Sequence, residues 1–477
     1  MENNIFIDRK KEREFLNKLY ERGNPQLIVI YGRRRIGKTF LIKKFLDSKK
    51  GIYYLATKES EEVQARDISK ALSAFFKDKT LAISPFTKYS QVLEYIASRS
   101  DERLIFVIDE FGYMMESSPY VSSVLQKYWD EYLSRSKVFI VLNGSIITLM
   151  ESLLSVKNPI YGRRTGQWHL GPLKFEDFST FLDGRSFADK IKCWSTTGTI
   201  LFYAKEFLKY KRFDDFIMDT FFNKGHIFYE EGRIIVSGEL GEVDSYFSIL
   251  SEISKGASRS IEIASRAGIK NTSISKYLKK LQEIGFISKE LPITERRNSK
   301  KSLYCIEDNF LNFWFSFVYK NRGLVENDNS NELKKILDVG LNLFMGRAFE
   351  KLIRENITYL SPFTIEHCGR WWGKNQGKPK GMNTEEIDVV AINEKSKDIL
   401  FGECKWTRNP VGIDIYKDLK RKSGLVHWHD KERKEHFALF SMSGFTAGMK
   451  ELATNENVLL FDLDAIDKAL SDSARKS

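Results

Sequence analysis

The chain has 477 residues, 42% of them hydrophobic and 29% charged, which is typical of a globular protein of roughly two to four domains. Its first residues soon become charged, and no apolar run approaches the about 18 residues of a membrane span, so we expect a cytoplasmic protein with neither a signal peptide nor a membrane partner. The four cysteines are far apart, which argues against a disulfide framework or a zinc site.

The net charge of +12 is unevenly distributed along the chain. Residues 255–301 contain 12 Lys or Arg and 4 Asp or Glu, a local excess of +8. A basic field of this kind favours nucleic acid or another anionic partner. The alternative is a basic surface that only contacts solvent.

Short apolar runs alternate with helical stretches over the first 170 residues. We expect a polar helix within residues 1–26 and a long helical stretch between the second and third apolar runs. Buried strands are expected at residues 27–31, 51–57, 103–114 and 137–145, the third breaking at its acidic pair. Strands that alternate with helices predict an α/β fold with a parallel sheet and crossover helices.

The first expected strand is followed by the stretch YGRRRIGKT. Gly32 and Gly37 bound a loop whose backbone N–H groups can surround phosphates at the N-terminus of a helix. Lys38 is expected to reach the β- and γ-phosphates, Thr39 to ligate Mg²⁺, and Phe40 to complete the nucleotide-binding residues. The sequence therefore predicts a site for a nucleoside triphosphate with Mg²⁺.

Polar residues at the ends of two later strands extend this site. Asp109 follows the apolar run LIFVI and is expected to hold the Mg²⁺ of the nucleotide through water, with Glu110 beside it as general base. In LNGS, Asn143 either senses the γ-phosphate or is an ordinary polar end of a strand. Arg163 and Arg164 are candidate arginine fingers or surface charges.

These motifs, in this order, resemble those of the archaeal-type P-loop ATPases, which are similar to the AAA+ and STAND nucleotide switches. The resemblance rests on FIDRKKEREFL, YGRRRIGKT, FVIDEF, LNGS and GPLKFEDF and spans about residues 5–320. It implies ATP hydrolysis, an ATPase core at 1–170 and a helical lid at 171–242. Arginine fingers often act between subunits, so a homo-oligomer is an open expectation. The lid stretch TTGTILFY lacks the proline of many such proteins.

Residues 243–308 predict a winged helix, because three helical runs precede two short strands. Recognition residues in such domains open the third helix, which here begins with Thr272, Ser273, Ser275 and Lys276. The wing carries the basic residues Arg296, Arg297, Lys300 and Lys301. This pattern favours phosphate contacts with nucleic acid, and a spacer within the chain is the alternative. An aromatic connector helix and a polar linker are expected at 309–332.

The last unit, 333–477, is expected to contain a hairpin with an acidic site. Pairing the strands around the turn NEKSKD places Asp388 opposite Glu403, with Lys405 on the same face as Glu403. Glu350 on the preceding helix can supply a further acid. Carboxylates that repel one another favour a cation between them, here Mg²⁺ or Mn²⁺. Lys405 would then stabilise charge or position water.

This arrangement resembles the PD-(D/E)XK nucleases, which have a restriction-endonuclease-like α/β fold, and the C-terminal domain usually fused to archaeal-type ATPases. The stretch GRWWGKNQGKPKG beside it offers Trp371 and Trp372 for stacking on bases or for packing in the core. We therefore expect an ATP-hydrolysing switch that controls a metal-dependent nuclease acting on nucleic acid, with DNA favoured over RNA as the partner of the winged helix and the C-terminal domain. The alternatives are a regulatory DNA-binding switch with an inactive nuclease fold and an ordinary charged hairpin.

Overall fold

The computed structural model describes residues 9–240, 243–295, 299, 301–375, 377, 379 and 383–474. The chain divides into two compact units, Met1–Pro172 and Leu173–Ser477. The finer division expected from the sequence stays a prediction. Within the described ranges, no helix is both long and apolar enough to cross a bilayer.

The first unit contains a five-stranded sheet in the order β2-β3-β4-β1-β5, in which all neighbouring strands are parallel. The strands are β1 Gln26–Tyr31, β2 Gly51–Leu55, β3 Leu104–Asp109, β4 Val138–Gly144 and β5 Gly166–His169. The helices are α1 Lys10–Glu21, α2 Lys38–Leu46, α3 Glu61–Phe76, α4 Lys79–Ile83, α5 Tyr89–Ser98, α6 Phe111–Ser117, α7 Val121–Glu131 and α8 Ile147–Ser152.

Helices cover both faces of this sheet, which explains the uninterrupted apolar runs of its central strands. Successive residues of a strand point to opposite faces. Leu27 and Val29 of β1 accordingly belong to one hydrophobic core, and Ile28 and Ile30 belong to the other. The helix α2 packs in the second core. The phosphate-binding stretch is thus held between a fully buried strand and a well-packed helix.

The structure corrects two expectations for this unit. The long helical stretch is divided into α3, α4 and α5, whereas the third strand breaks at its acidic pair as expected, ending at Asp109 just before α6. The fifth strand, β5, was not predicted. Its four residues alternate between partly buried and exposed positions at the edge of the sheet, so they form no apolar run that the sequence could reveal.

The second unit begins with helices, as the sequence predicts. They are α9 Phe175–Phe181, α10 Phe187–Thr197, α11 Leu201–Leu208, α12 Phe213–Thr220, α13 Ile227–Glu239, α14 Val243–Ser254, α15 Ser260–Arg266 and α16 Asn271–Glu283. The two strands β6 Ile287–Glu290 and β7 Leu303–Ile306 follow and pair antiparallel. The helices and strands expected for residues 243–308 are therefore present.

The connector differs from the expected helix and linker. It consists of α17 Asn309–Phe313, a π-helical turn at Trp314–Val318, a 3-10 turn at Tyr319–Asn321 and α18 Arg322–Glu326. Three residues separate α18 from the next helix, α19 Ser330–Asn356. The polar stretch GLVENDNSNE is thus largely helical rather than an extended linker, because the side chain of Asn329 accepts a hydrogen bond from the backbone N–H of Glu332 and caps α19.

A second five-stranded sheet, in the order β12-β11-β10-β9-β8, completes this unit. Its elements are β8 His367–Lys374, β9 Thr384–Asn393, β10 Asp398–Lys405, α20 Ile413–Ser423, β11 Lys434–Ser441, α21 Ala447–Glu456, β12 Leu459–Asp462 and α22 Leu463–Ala474. The strands β8, β9 and β10 are antiparallel neighbours, while β11 is parallel to both β10 and β12. The helices α19 and α20 both contact β9 and β10.

Packing around Trp314 generates a prediction about stability. A Cβ atom at Gly232 in α13 would lie 2.2 Å from the indole of Trp314, which is fully buried and donates from Nε1 to the carbonyl of Tyr229 at 2.9 Å. Because the anchored indole cannot move aside, Gly232→Ala should reduce the free energy of unfolding by about 1–3 kcal/mol. Gly346→Ala in α19 is the control, because nothing lies within 4 Å of its Cβ position and alanine should stabilise that helix by about 0.5–1 kcal/mol. Urea unfolding of both variants measures the difference, and equal midpoints would contradict the prediction.

Candidate functional site

The loop between β1 and α2 requires both of its glycines. A Cβ atom at Gly32 would lie 2.4 Å from the carbonyl oxygen of Leu170, so a side chain cannot fit there. Gly37 has φ +98° at the N-terminus of α2, a conformation that glycine adopts without strain. The loop therefore brings backbone N–H groups to the start of a helix, where an anion is favoured.

Lys38 lies over this loop. Its Nζ donates to the carbonyl oxygens of Gly32 at 2.7 Å and Arg33 at 2.9 Å, and the residue is only 5% exposed. Thr39 and Phe40 follow in the first turn of α2. The ammonium group is thus held at the concave side of the loop, where phosphate oxygens would bind.

The carboxylate of Asp109 connects the loop helix to three strands of the sheet. Its Oδ2 atom accepts hydrogen bonds from the hydroxyls of Thr39, at 2.8 Å, and Tyr53. Its Oδ1 atom accepts from the side-chain amide of Asn143 and, at 2.9 Å, from the backbone N–H of Glu110. Burial and the bond to Asp109 both raise the pKa of Tyr53, so its hydroxyl stays protonated and donates. Asp109, Thr39 and Asn143 are therefore brought together as predicted.

Glu110 is held by a residue that the sequence analysis overlooked. The hydroxyl of Ser145 lies 2.7 and 2.8 Å from the two carboxylate oxygens of Glu110, and the backbone N–H of Ser145 donates to Oε2 at 3.1 Å. Glu110 itself has φ +54°, a strained conformation for a residue with a side chain. The serine is the last residue of the motif LNGS, so the motif already included this position. Nothing in the sequence, however, indicates that its partner is Glu110.

The two arginines of YGRRTG both have partners within the first unit. Arg163 donates to the carboxylate of Asp130 from Nε at 3.2 Å and from Nη2 at 2.9 Å. Arg164 stacks on the ring of Tyr161, with its guanidinium carbon 4.7 Å from the ring centroid. Neither contact involves the residues around Asp109, so a role as arginine finger stays a prediction.

The second unit contains the predicted acidic hairpin in the predicted register. The strands β9 and β10 pair Val389 with Gly402, which places Asp388 opposite Glu403. The Oδ2 atom of Asp388 accepts from the backbone N–H of Cys404 at 2.9 Å. Burial, followed by the charges of Glu350 and Glu403, raises the pKa of Asp388 to about 7. The three acids therefore interact electrostatically, although no three His, Cys, Asp or Glu side chains of the described residues form a ready metal cluster.

Cations neutralise much of this acidic charge. Lys405 donates to Oε1 of Glu403 at 2.6 Å, and Nζ of Lys422 on α20 lies 3.6 Å from Oε2. Burial lowers the pKa of Lys405, but the charge of Glu403, the hydrogen bond to it and the charge of Asp388 together outweigh burial, so the pKa is raised. Arg354 lies 3.7 Å from Glu350 and donates to the carbonyl of Asp388 at 3.0 Å. The sequence analysis missed Lys422 and Arg354, because only the packing of α19 and α20 on the hairpin brings them to this site.

Comparison with known proteins identifies the family. An uncharacterized protein of Methanocaldococcus jannaschii is 32% identical over 479 residues, which cover 96% of this chain and 99% of that protein. The chain belongs to the same family as this protein. Residues 6–204 match the family described as "ATPase domain predominantly from Archaea". The resemblance to archaeal-type ATPases is therefore confirmed, and ATP is the ligand of this domain.

Two further matches concern parts of this chain. An uncharacterized ATP-binding protein of the same organism is 54% identical over 46 residues, 10% of this chain and 78% of that protein. Residues 314–421, which include Glu350, Asp388, Glu403 and Lys405, match the family described as "Archaea bacterial proteins of unknown function".

Two solved structures also align with this chain. The Walker-type ATPase of Pyrococcus abyssi is 19% identical, with 65% of this chain and 96% of that chain covered and a TM-score of 0.48. The ORC2 protein of Aeropyrum pernix is 15% identical, with 69% and 98% covered and a TM-score of 0.48.

The remaining residues that the sequence analysis singled out fall into three groups. Thr272, Ser273, Ser275 and Lys276 are all exposed on α16, as a recognition surface requires. Arg296, Arg297 and Lys300 lie outside the described residues, while Lys301 pairs with Glu295 at 2.6 Å. Trp371 and Trp372 are 5% and 7% exposed, so they pack in the interior and are not exposed for stacking on bases.

Replacing the loop lysine should abolish nucleotide binding. In Lys38→Ala the loop loses the ammonium group that lies over its carbonyls, so we expect ATP binding to be lost and hydrolysis with it. Lys44→Ala is the control, because Lys44 lies on the same helix but pairs with Asp47 at 3.0 Å. Calorimetry with ATP measures binding in both variants. Binding by Lys38→Ala equal to that of the control would contradict the role of Lys38.

Replacing the expected base should separate binding from turnover. Glu110→Gln keeps the size of the side chain but removes its basicity, so ATP should still bind while hydrolysis falls by about 10²-fold or more. The control is Glu116→Gln in α6, where the exposed carboxylate pairs with Lys58 at 2.7 Å. Steady-state phosphate release is the measurement. If Glu110→Gln hydrolyses ATP at a rate within about twofold of the control variant, Glu110 is a structural residue and not the general base.

Proposed function

We propose that ATP hydrolysis in the first unit controls a metal-dependent, nuclease-like site in the second. The observation that carries the proposal is the pairing of Asp388 with Glu403 across β9 and β10. Burial, together with the charges of Glu350 and Glu403, raises the pKa of Asp388 to about 7. Buried acids that repel one another are unfavourable, and a divalent cation removes that repulsion. Lys405 on the same strand supplies a positive charge beside them.

The residues of this site fit Mg²⁺ or Mn²⁺. Their side-chain donors are carboxylate oxygens, which hard divalent cations prefer. Oε2 of Glu403 is buried and accepts no hydrogen bond from the described residues, so it has coordination capacity left. Asp388 and Glu403 would hold the metal, with Glu350 as a further acid. When bound, such a cation supplies Lewis acidity toward water and a phosphodiester.

The site around Asp109 likewise fits the Mg²⁺ of the nucleotide. The hydroxyl of Thr39 and the carboxylate of Asp109 lie 2.8 Å apart, and both are hard oxygen donors. Oδ1 of Asn143 is buried and has no hydrogen-bond partner among the described residues, so it can accept a hydrogen bond from a water beside the γ-phosphate. Glu110, oriented by Ser145, would accept the proton of the attacking water.

Nucleic acid, and DNA in particular, is the proposed partner of the second unit. The start of α16 presents exposed hydroxyl and ammonium groups at Thr272, Ser273, Ser275 and Lys276. These residues lie within the basic segment 255–301, which carries a net charge of +8. Hydroxyls and lysines at the start of a helix contact phosphates and base edges in helix-turn-helix proteins. Nucleic acid held there would be bound by the same unit that carries the acidic hairpin.

A second candidate function is an ATP-dependent DNA-binding switch whose nuclease-like site is inactive. Glu403 is paired with Lys405 and lies 3.6 Å from Lys422, and Glu350 lies 3.7 Å from Arg354. These cations neutralise the acids without a metal. A divalent cation at Glu403 would bind beside these two lysines, and their positive charges oppose its binding. The two functions therefore differ in whether the site binds a metal.

Metal binding and cleavage should separate in two variants. Lys405→Ala should retain Mn²⁺ binding, because lysine is not a ligand, and should lose cleavage of DNA, because charge that develops on the phosphodiester loses its partner. Asp388→Ala should lose both, because a hard cation loses a carboxylate. ATP hydrolysis should survive in each, because that site lies in the first unit. The measurements are calorimetry with Mn²⁺, nicking of plasmid DNA and phosphate release.

Lys395→Ala in the exposed turn of the same hairpin is the control and should behave as wild type. Mn²⁺ affinity should also rise with pH through about 7, because the metal requires ionised Asp388 and the folded pKa of that residue is about 7. Equal Mn²⁺ affinity in wild type and Asp388→Ala would reject the metal site. A wild-type protein that binds DNA but no Mn²⁺ would favour the DNA-binding switch.

A further inference from the structure

The middle of β2 places a tyrosine hydroxyl on the carboxylate of Asp109, a contact that none of the sequence motifs includes. Tyr53 pairs in register with Val107 of β3, two residues before Asp109. Its side chain lies on the face of the sheet that packs against α2, and its hydroxyl donates to Oδ2 of Asp109. Lys43 of α2 lies over the ring, with Nζ 5.5 Å from the centroid. Tyr53 therefore contacts both the acid and the helix that opens the ATP site.

The four donors to Asp109 differ in what else they are needed for. Glu110 contributes a backbone N–H, Asn143 is the expected sensor of the γ-phosphate, and Thr39 is the expected ligand of Mg²⁺. Tyr53 has no expected role in binding phosphate or metal. Burial and its bond to Asp109 raise the pKa of its hydroxyl, which therefore stays protonated. Its hydrogen bond fixes Oδ2, the oxygen that Thr39 also contacts.

We propose that Tyr53 is a positioning residue of the ATP site, whose hydroxyl fixes the Asp109 carboxylate toward Thr39. Without this donor, the only described hydrogen bond that orients Oδ2 is the one from Thr39. The hydroxyl of Thr39 is the group that Mg²⁺ would use, so Asp109 would lose its orientation when the metal·nucleotide complex binds. Partners that orient metal-site ligands typically contribute about 10–100-fold to metal affinity or activity. The inference depends on ATP hydrolysis by the first unit and is independent of the nuclease-like proposal.

The test compares Tyr53→Phe with Tyr54→Phe in the full-length protein. Tyr54 is the next residue of β2, but its side chain lies in the core on the opposite face, where its hydroxyl donates to Gln64 at 3.4 Å. Each variant loses one hydroxyl from one ring of the same strand, which is partly buried in Tyr53 and buried in Tyr54. Binding of a non-hydrolysable ATP analogue is measured by calorimetry with and without Mn²⁺, alongside kcat, KM and the midpoint of thermal unfolding.

Tyr53→Phe should bind the analogue without metal as wild type does. Its gain in affinity on adding Mn²⁺ and its kcat should each fall by about 10-fold, with little change in KM. Tyr54→Phe should retain both the Mn²⁺ response and kcat. The inference is overturned if the two variants have the same Mn²⁺ response and kcat, or if Tyr53→Phe lowers only the unfolding midpoint. Nicking of DNA is not part of the comparison, so an inactive nuclease-like site would leave the test intact.

Discussion

The hydrogen bonds to one buried carboxylate hold the ATP site together. Asp109 is 1% exposed, and an ionised group in such a position is unfavourable unless its oxygens are paired. Its donors come from the P-loop helix α2, from β2 and β4 on either side of β3, and from the start of α6. Because these segments converge on one acid, the position of the phosphate-binding helix is coupled to the ends of three neighbouring strands.

The acids of the two units are stabilised in different ways. Asp109 is surrounded by neutral donors, which satisfy its lone pairs without cancelling its charge. Glu403 is instead contacted by Lys405 and lies near Lys422, and burial together with neighbouring acids raises the pKa of Asp388. The first arrangement preserves a negative charge for a cation beside the nucleotide. In the second arrangement, lysines already neutralise acids that a divalent metal could neutralise instead. Whether the site binds a metal therefore decides between the two candidate functions.

The ATPase domain and the C-terminal unit occur together in the family. The alignment with the M. jannaschii protein covers 96% of this chain and 99% of the relative, so both share the whole arrangement. The region that matches a family of unknown function contains the acidic hairpin, whereas the ATPase match ends at residue 204. An ATPase domain joined to the same C-terminal unit in both proteins supports our proposal that ATP controls that unit.

The sequence alone determined the parts of the protein that depend on local pattern. The glycines and lysine of the loop, the acidic end of β3 and the register that opposes Asp388 and Glu403 follow from apolar runs, turn length and the alternation of side chains along strands. The tertiary structure decided what depends on contacts between distant segments. Tyr53, Ser145 and Lys422 have no motif of their own, and each becomes part of a site only because β2, the end of β4 or α20 packs beside an acid. The tryptophans 371 and 372 were ambiguous for the same reason, since burial of a side chain is a property of the packed fold and not of its neighbours in sequence.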